Sequence, residues 1–184
     1  MFRRRSHRHP WRTRRSAIAY NRQFQVIEDL ISTPDGGEFV YVYVRNPHDI
    51  VAILAITENR QVVLVRAYCH PMRKVISNLV SGSILEGEVP SQAARRQLAE
   101  QAGYCAHQLT PLGRMAPFPG VVVGTIHLFL ADGLHPVPRP TEAHLEREIV
   151  LVHVDEVLRQ TLRNEFEDGA LQLAFLFAAQ QQLF

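Results

Sequence analysis

Apolar positions along this chain recur with period two more often than with the period of a helix, which predicts strands interleaved with a few helices. Residues 11–44 read as β throughout. FQVIEDLI (residues 24–31) alternates, TPDGG (33–37) makes a turn, and EFVYVYVR (38–45) alternates again through Phe39, Tyr41 and Tyr43. Asn46-Pro47 closes this hairpin. Two apolar, β-branched runs follow, DIVAILAIT (49–57) and QVVLVRAY (61–68), separated by Glu58-Asn59-Arg60. Their continuous hydrophobicity predicts strands buried on both faces. Residues 109–134 read as a loop and a further strand pair, punctuated by Pro117-Phe118-Pro119-Gly120. Residues 135–149 form a polar loop. IVLVHVDEVLRQTLR (149–163) is a strand running into a helix, with Asp155 as its expected cap, and the apolar segment after Asp168-Gly169 is a final helix. Strands interleaved with two or three helices, without repeats, place the chain in the α/β or α+β class as one domain over residues 11–184.

The densest chemistry lies in residues 82–104, GSILEGEVPSQAARRQLAEQAGY. Pro90 and Ser91 suit the first turn of a helix, proline by its fixed φ and serine as a cap, and Gly103 is a natural stop. Side chains three and four apart share a helix face, so Gln97, Glu100 and Gln101 point the same way, and Arg96 can pair with Glu100.

Composition narrows the options. The 184 residues are 46% hydrophobic and 21% charged, enough for a substantial core. No apolar run approaches membrane-spanning length, and no secretory apolar region stands near the N-terminus. Cys69 and Cys105 are too few for a disulfide framework, so a reducing cytoplasm is expected. The net charge of +2 hides an asymmetry: eight arginines and no acid precede Glu28, after which twelve basic residues face eighteen acidic ones. Such a head can be a nucleic-acid arm, a transit peptide or a solvated tail. No aromatic-interleaved platform accompanies it, and residues 1–10 are read as a basic disordered tail. Lys74 is the sole lysine, which removes Schiff-base chemistry from consideration.

Residues 82–104 keep the frame of the Nudix box, G-x5-E-x7-R-E-U-x-E-E-x-G-U with U a bulky apolar residue. Gly82, Glu88, Arg96, Leu98, Glu100, Gly103 and Tyr104 fall in register. Gln97 and Gln101 stand where the family has glutamate. Beyond the box, VVLVRAYCHP, NLVSG, PGVVVGTIHLFLA and residues 155–178 resemble the ADP-ribose pyrophosphatase branch. The resemblance implies a Nudix-type α/β/α sandwich with a mixed central sheet, an N-terminal antiparallel strand region (residues 11–45), and a homodimer packed through those strands. It also implies Mg²⁺ or Mn²⁺ held at Gly82, Gln97, Glu100 and Gln101, with Glu88, Arg96 and Glu100 in the catalytic box. A nucleoside diphosphate ligand would lie near Arg66 and Glu86. Cys69, Asn78 and Gly124 replace an arginine, a glutamate and a loop glutamate of the branch, whereas Glu146 and Glu148 match its late acidic residues.

Mg²⁺ prefers anionic oxygens, and a glutamine offers an oxygen of similar shape without charge. Replacing two glutamates by Gln97 and Gln101 therefore predicts a protein that keeps the fold while hydrolysis is lost or strongly reduced. The alternative is an active pyrophosphohydrolase using Glu88, Glu100 and a replacement acid such as Glu86. Further rivals are a nucleotide-sensing regulator and a structural partner of an active paralogue. Elsewhere, Cys69-His70 alternate across a strand and do not form a nucleophile pair. His127 is expected to be a core histidine, and His135, His144 and His153 lack ligand spacing. The Phe175–Phe177 stretch is read as core or dimer interface. Phe39, Tyr41 and Tyr43 either pack across strands or stack a nucleotide base.

Overall fold

A computed structural model describes residues 10–139 and 147–183, with no helix among them long and apolar enough to cross a membrane. The predicted tail, apart from its last residue, lies outside the described residues, as do His144 and Glu146. In chain order the elements are β1 (Arg12–Asn21), β2 (Gln25–Ser32), β3 (Glu38–Arg45), β4 (Ile50–Ala55), β5 (Gln61–Cys69), β6 (Lys74–Asn78), β7 (Val80–Ser83), α1 (Pro90–Ala102), β8 (Tyr104–Met115), β9 (Val122–Val123), β10 (Ile126–Pro136), β11 (Arg147–His153), α2 (Val154–Leu162) and α3 (Gly169–Gln180). They fall into two compact units.

The first unit comprises the chain up to Pro47 together with residues 117–124. Its sheet has the order β1-β2-β3-β9. β1, β2 and β3 are antiparallel, with Asp29 opposite both Ser16 and Tyr41, and β9 adds in parallel at Val44 and Arg45. Phe39, Tyr41 and Tyr43 alternate onto one face, their ring centroids 6.4 and 6.3 Å apart, and Trp11 meets Phe39 edge-on at 5.2 Å.

The second unit carries an α/β/α sandwich. One sheet, β7-β4-β10-β8, is mixed, with β4 and β10 parallel and the other pairs antiparallel. A second sheet, β11-β5-β6, is antiparallel. The doubly buried runs explain the layering. Val51, Ile53, Ala55, Val63, Val65, Phe129 and Ala131 pack with Ala93, Ala94, Leu98 and Ala102 of α1. Their neighbours in sequence, Ala52, Leu54, Val62, Leu64, Leu128 and Leu130, pack with Val157 of α2 and Leu171, Ala174 and Phe175 of α3. Period-two alternation thus feeds two cores, one on each face. Phe175 is fully buried in the second core, and Phe177 packs against it.

Three local expectations change. Residues 109–115 continue strand β8 instead of forming a loop. Helix α1 is not capped by Ser91, which lies inside its first turn: the N-cap is Val89, and the Gln92 side chain accepts from the Val89 N–H at 3.1 Å. Helix α2 is capped by His153, whose Nδ1 accepts from the Asp155 N–H at 3.3 Å, so Asp155 occupies the first turn, where a carboxylate suits the helix dipole. Asp168 caps α3, accepting from the Ala170 N–H at 2.9 Å.

Candidate functional site

The loop from β7 to α1 and the first three turns of α1 gather most of the predicted site. Gly103 ends the helix in the left-handed conformation, φ 71°, where a side chain would be strained. Two polar clusters form, and they differ in kind.

The first is ionic. Arg96 Nε donates to Glu88 Oε1 and Arg96 Nη2 to Glu88 Oε2, both at 2.7 Å, a forked pair. The same guanidinium donates to the Ser83 carbonyl at 2.9 Å and to Glu100 Oε2 at 3.2 Å. Glu88 also accepts from the Leu85 N–H at 2.9 Å. The Arg96 guanidinium, aided by that backbone donor, holds the Glu88 carboxyl down to about 2. Glu88, Arg96 and Glu100 are therefore brought together, and they stitch the loop to the helix.

The second cluster is neutral. Gln97 is 9% exposed, and its terminal amide fills the space a Cβ at Gly82 would need. Gln101 Nε2 donates both to Gln97 Oε1 and to the Ser81 carbonyl. The carbonyl of Ser81 can only accept, so the Gln101 atom facing it is the amide nitrogen, and the Gln97 atom facing that nitrogen is the oxygen. A glutamate at position 101 would set a carboxylate against this carbonyl, an arrangement that calls for a cation between them. Here an N–H group takes that place. Gln97, Gln101 and Gly82 thus come together as predicted, while Glu100 turns toward Arg96. Among the described residues, no three or more His, Cys, Asp or Glu side chains are grouped to hold a metal ion. The three-carboxylate set implied by the resemblance is absent from this helix, which carries Gln97 and Gln101 at two of its positions.

The remaining predicted positions scatter. Arg66 alternates with Val65 on β5 and so shares the face of Leu64 and Val62, away from α1. It meets Glu148 at 3.6 Å across the β5–β11 pair, beside a cleft of about 480 Å³ lined also by Ala67, Tyr68, Val75 and Arg147. Glu86 is exposed in the β7–α1 loop. Cys69 and Asn78 end β5 and β6, and Gly124 belongs to the first unit. His127 differs from its expected role as a core histidine: it stands at the start of β10 with Nε2 3.5 Å from Asp49 Oδ2, because the strand begins there and its ring is left partly exposed. Sequence reasoning missed Asp49, whose Oδ1 accepts from the Thr125 N–H at 2.8 Å. Its one signal was a polar residue directly before an apolar strand.

The first unit has a cleft of its own, about 400 Å³, lined by Trp11, Asp29, Ile31, Tyr41, Tyr43 and residues 119–123. Tyr41 donates its hydroxyl to the Gly120 carbonyl at 2.8 Å, and Asp29 Oδ1 is buried there without a hydrogen-bond partner.

Known proteins resemble this chain over most of its length. A NUDIX domain model matches residues 46–173. The ADP-ribose pyrophosphatase of Bacillus subtilis (strain 168) is 27% identical over 153 residues, covering 82% of each chain. A methanol dehydrogenase activator of Bacillus methanolicus is 29% identical over 158 residues, covering 84% of each. The ADP-ribose pyrophosphatase of Mycobacterium tuberculosis (strain ATCC 25618 / H37Rv) is 29% identical over 145 residues, covering 77% of this chain and 70% of the relative. A crystal structure of an ADP compounds hydrolase superposes with a TM-score of 0.83 at 20% identity, covering 94% of each chain, which shows the shared fold.

Proposed function

The chain belongs to the Nudix family, and from that premise we propose that it keeps recognition of a nucleoside diphosphate derivative, of which ADP-ribose is the model, while metal-dependent hydrolysis is lost or reduced by orders of magnitude. The observation that carries this reading is the Gln101 amide donating to both Gln97 and the Ser81 carbonyl. The oxygens that would face a cation already share a proton donor. Glu88 and Glu100 offer no substitute, since both are engaged by Arg96. In relatives, divalent metal neutralises the diphosphate and activates water; with two neutral amides in its place, both effects are missing. The aromatic-lined cleft of the first unit supports retained ligand recognition. Tyr41 and Tyr43 line it and suit the stacking of a base.

The test is AMP release from ADP-ribose with Mg²⁺ or Mn²⁺, comparing the natural chain with the Gln97→Glu, Gln101→Glu double variant. A silent natural chain beside an active variant is expected. Metal-dependent turnover by the natural chain would overturn the reading.

The same premise extends to assembly as a homodimer through the first unit. All ten residues of β1 are exposed, and Ile18, Val40 and Val42 are 53%, 59% and 52% exposed, more apolar surface than a lone sheet keeps in water. Light scattering on the purified chain should give twice the monomer mass of 21.0 kDa; a monomer at micromolar concentration would refute this.

A further inference from the structure

The mixed sheet of the second unit places four residues in one row. Gly82 on β7 is opposite Val51 on β4, Val51 is opposite His127 on β10, and His127 is opposite Arg114 on β8. Residues directly opposite one another share a sheet face. Val51 packs into the core beneath α1, and the Cβ direction of Gly82 is occupied by Gln97 of α1. His127 and Arg114 therefore project on the α1 side, in line with the glutamine pair. Neighbouring strands lie about 4.8 Å apart, so the row runs for roughly 14 Å from Gly82 to Arg114.

Two further features mark this row as a seat for an anion. The carboxylate of Asp49 is fixed by the Thr125 N–H at 2.8 Å and faces His127 Nε2 at 3.5 Å, which sets the ring's proton on Nε2 and leaves Nδ1 to donate once the imidazole carries a second proton. Arg114 is exposed beside it, one strand away. Glu88 and Glu100 share the single guanidinium of Arg96 and Asp49 faces His127, so the positive charge the row offers an anion is that of Arg114.

We infer that Arg114 and the Asp49-oriented His127 bind the diphosphate of the ligand directly, in the absence of metal. This rests on the reading that the ligand is a nucleoside diphosphate derivative, and it assigns the positive charge that recognition needs to side chains of this chain. Two cationic or hydrogen-bonding groups one strand spacing apart suit two adjacent phosphoryl groups. Arg114 supplies a forked donor, and His127, protonated between Asp49 and the arriving phosphate, supplies the Nδ1–H. Asp49 acts through His127 and is a positioning residue.

The experiment is equilibrium dialysis of the full chain against ADP-ribose in EDTA and again in Mg²⁺. Binding is expected in EDTA, with little gain from Mg²⁺. Arg114→Gln should weaken binding in EDTA about tenfold or more, and His127→Gln should do so severalfold. In parallel, the imidazole ¹⁵N resonances of His127, assigned by their loss in His127→Gln, should move when ADP-ribose is added to the natural chain. Asp49→Asn should weaken binding in EDTA severalfold in the natural chain and cost nothing further in the His127→Gln background, whereas a merely structural role would weaken both alike. Binding that appears only with Mg²⁺ overturns the inference and leaves the ligand reading intact. So do unchanged affinities in both variants, or His127 resonances that ignore the ligand. Absence of binding in either buffer, for the natural chain and for the Gln97→Glu, Gln101→Glu variant alike, removes the ligand reading itself.

Discussion

The two polar clusters of the box lie on the same helix within five residues of each other, and they have fared differently. Around Arg96 every charge is present: Glu88 and Glu100 hold one guanidinium, which also ties down Ser83. Around Gln97 no charge is present, and the amides satisfy each other and Ser81. The first cluster's counter-ion is a protein side chain, so the folded chain needs those carboxylates whatever else it does. The second would need a counter-ion from solution. A carboxylate buried without one is costly, and an amide of the same shape is not. The difference separates the part of the motif that builds the loop from the part that would bind metal.

The sharpest way to break this contrast is to recharge the neutral cluster. In EDTA the Gln97→Glu, Gln101→Glu variant sets two carboxylates against each other and against the Ser81 carbonyl, a loss of about 2–4 kcal/mol. A tenfold excess of Mg²⁺ over its dissociation constant should then return ~1.4 kcal/mol. For a chain of this length that is a rise in Tm of about 3–6 °C. The natural chain should show no Mg²⁺-dependent rise. Scanning fluorimetry with and without EDTA decides it, and equal metal responses in the two proteins would mean that the amides are no obstacle to the cation.

A smaller effect tests the packing of the same cluster. A methyl group at Gly82 must displace the Gln97 amide, and Gly82→Ala should cost about 1–3 kcal/mol by overpacking. In a Gln97→Ala background the obstacle is gone, so the same change should cost less than about 0.5 kcal/mol. A double-mutant cycle from urea unfolding measures the coupling. If the two substitutions add, Gln97 does not occupy that space.

Much of this was legible in the residues and some was not, for physical reasons. Apolar runs located β4, β5 and β10, because successive residues of these strands feed two cores, whereas β6 and β7 are short and carry no such run. The limits of α1 followed from Pro90 and Gly103, whose backbone preferences are local. The caps of α1 and α2 did not follow, because Gln92 and His153 act through side-chain reach and not through the usual capping types. Spacing put Gln97, Glu100 and Gln101 on one face, but it could not show that Arg96 draws Glu100 aside. Nor could it show the Gly82–Val51–His127–Arg114 row, which exists only through strand pairings between distant segments.

The smallest expected effect concerns the charged cluster and is best seen in acid. The Glu88 carboxyl is held down to about 2 chiefly by Arg96, with the Leu85 N–H contributing. A carboxyl depressed on folding binds fewer protons in the native state than in the unfolded chain, so its stabilisation is complete above the unfolded value, about 4.3. It fades as pH falls from there and is gone near 2. Glu88→Gln should therefore lower stability modestly at neutral pH and flatten the acid limb of the stability–pH curve between those values. Glu100→Gln removes only an exposed pair four residues along the helix and should lower stability at neutral pH by about 0.3–0.5 kcal/mol. Urea midpoints measured from pH 7 to pH 2.5 distinguish the two. If Glu100→Gln flattened the limb as much as Glu88→Gln, the loop-fixing role would belong to the whole triad and not to the Glu88–Arg96 fork.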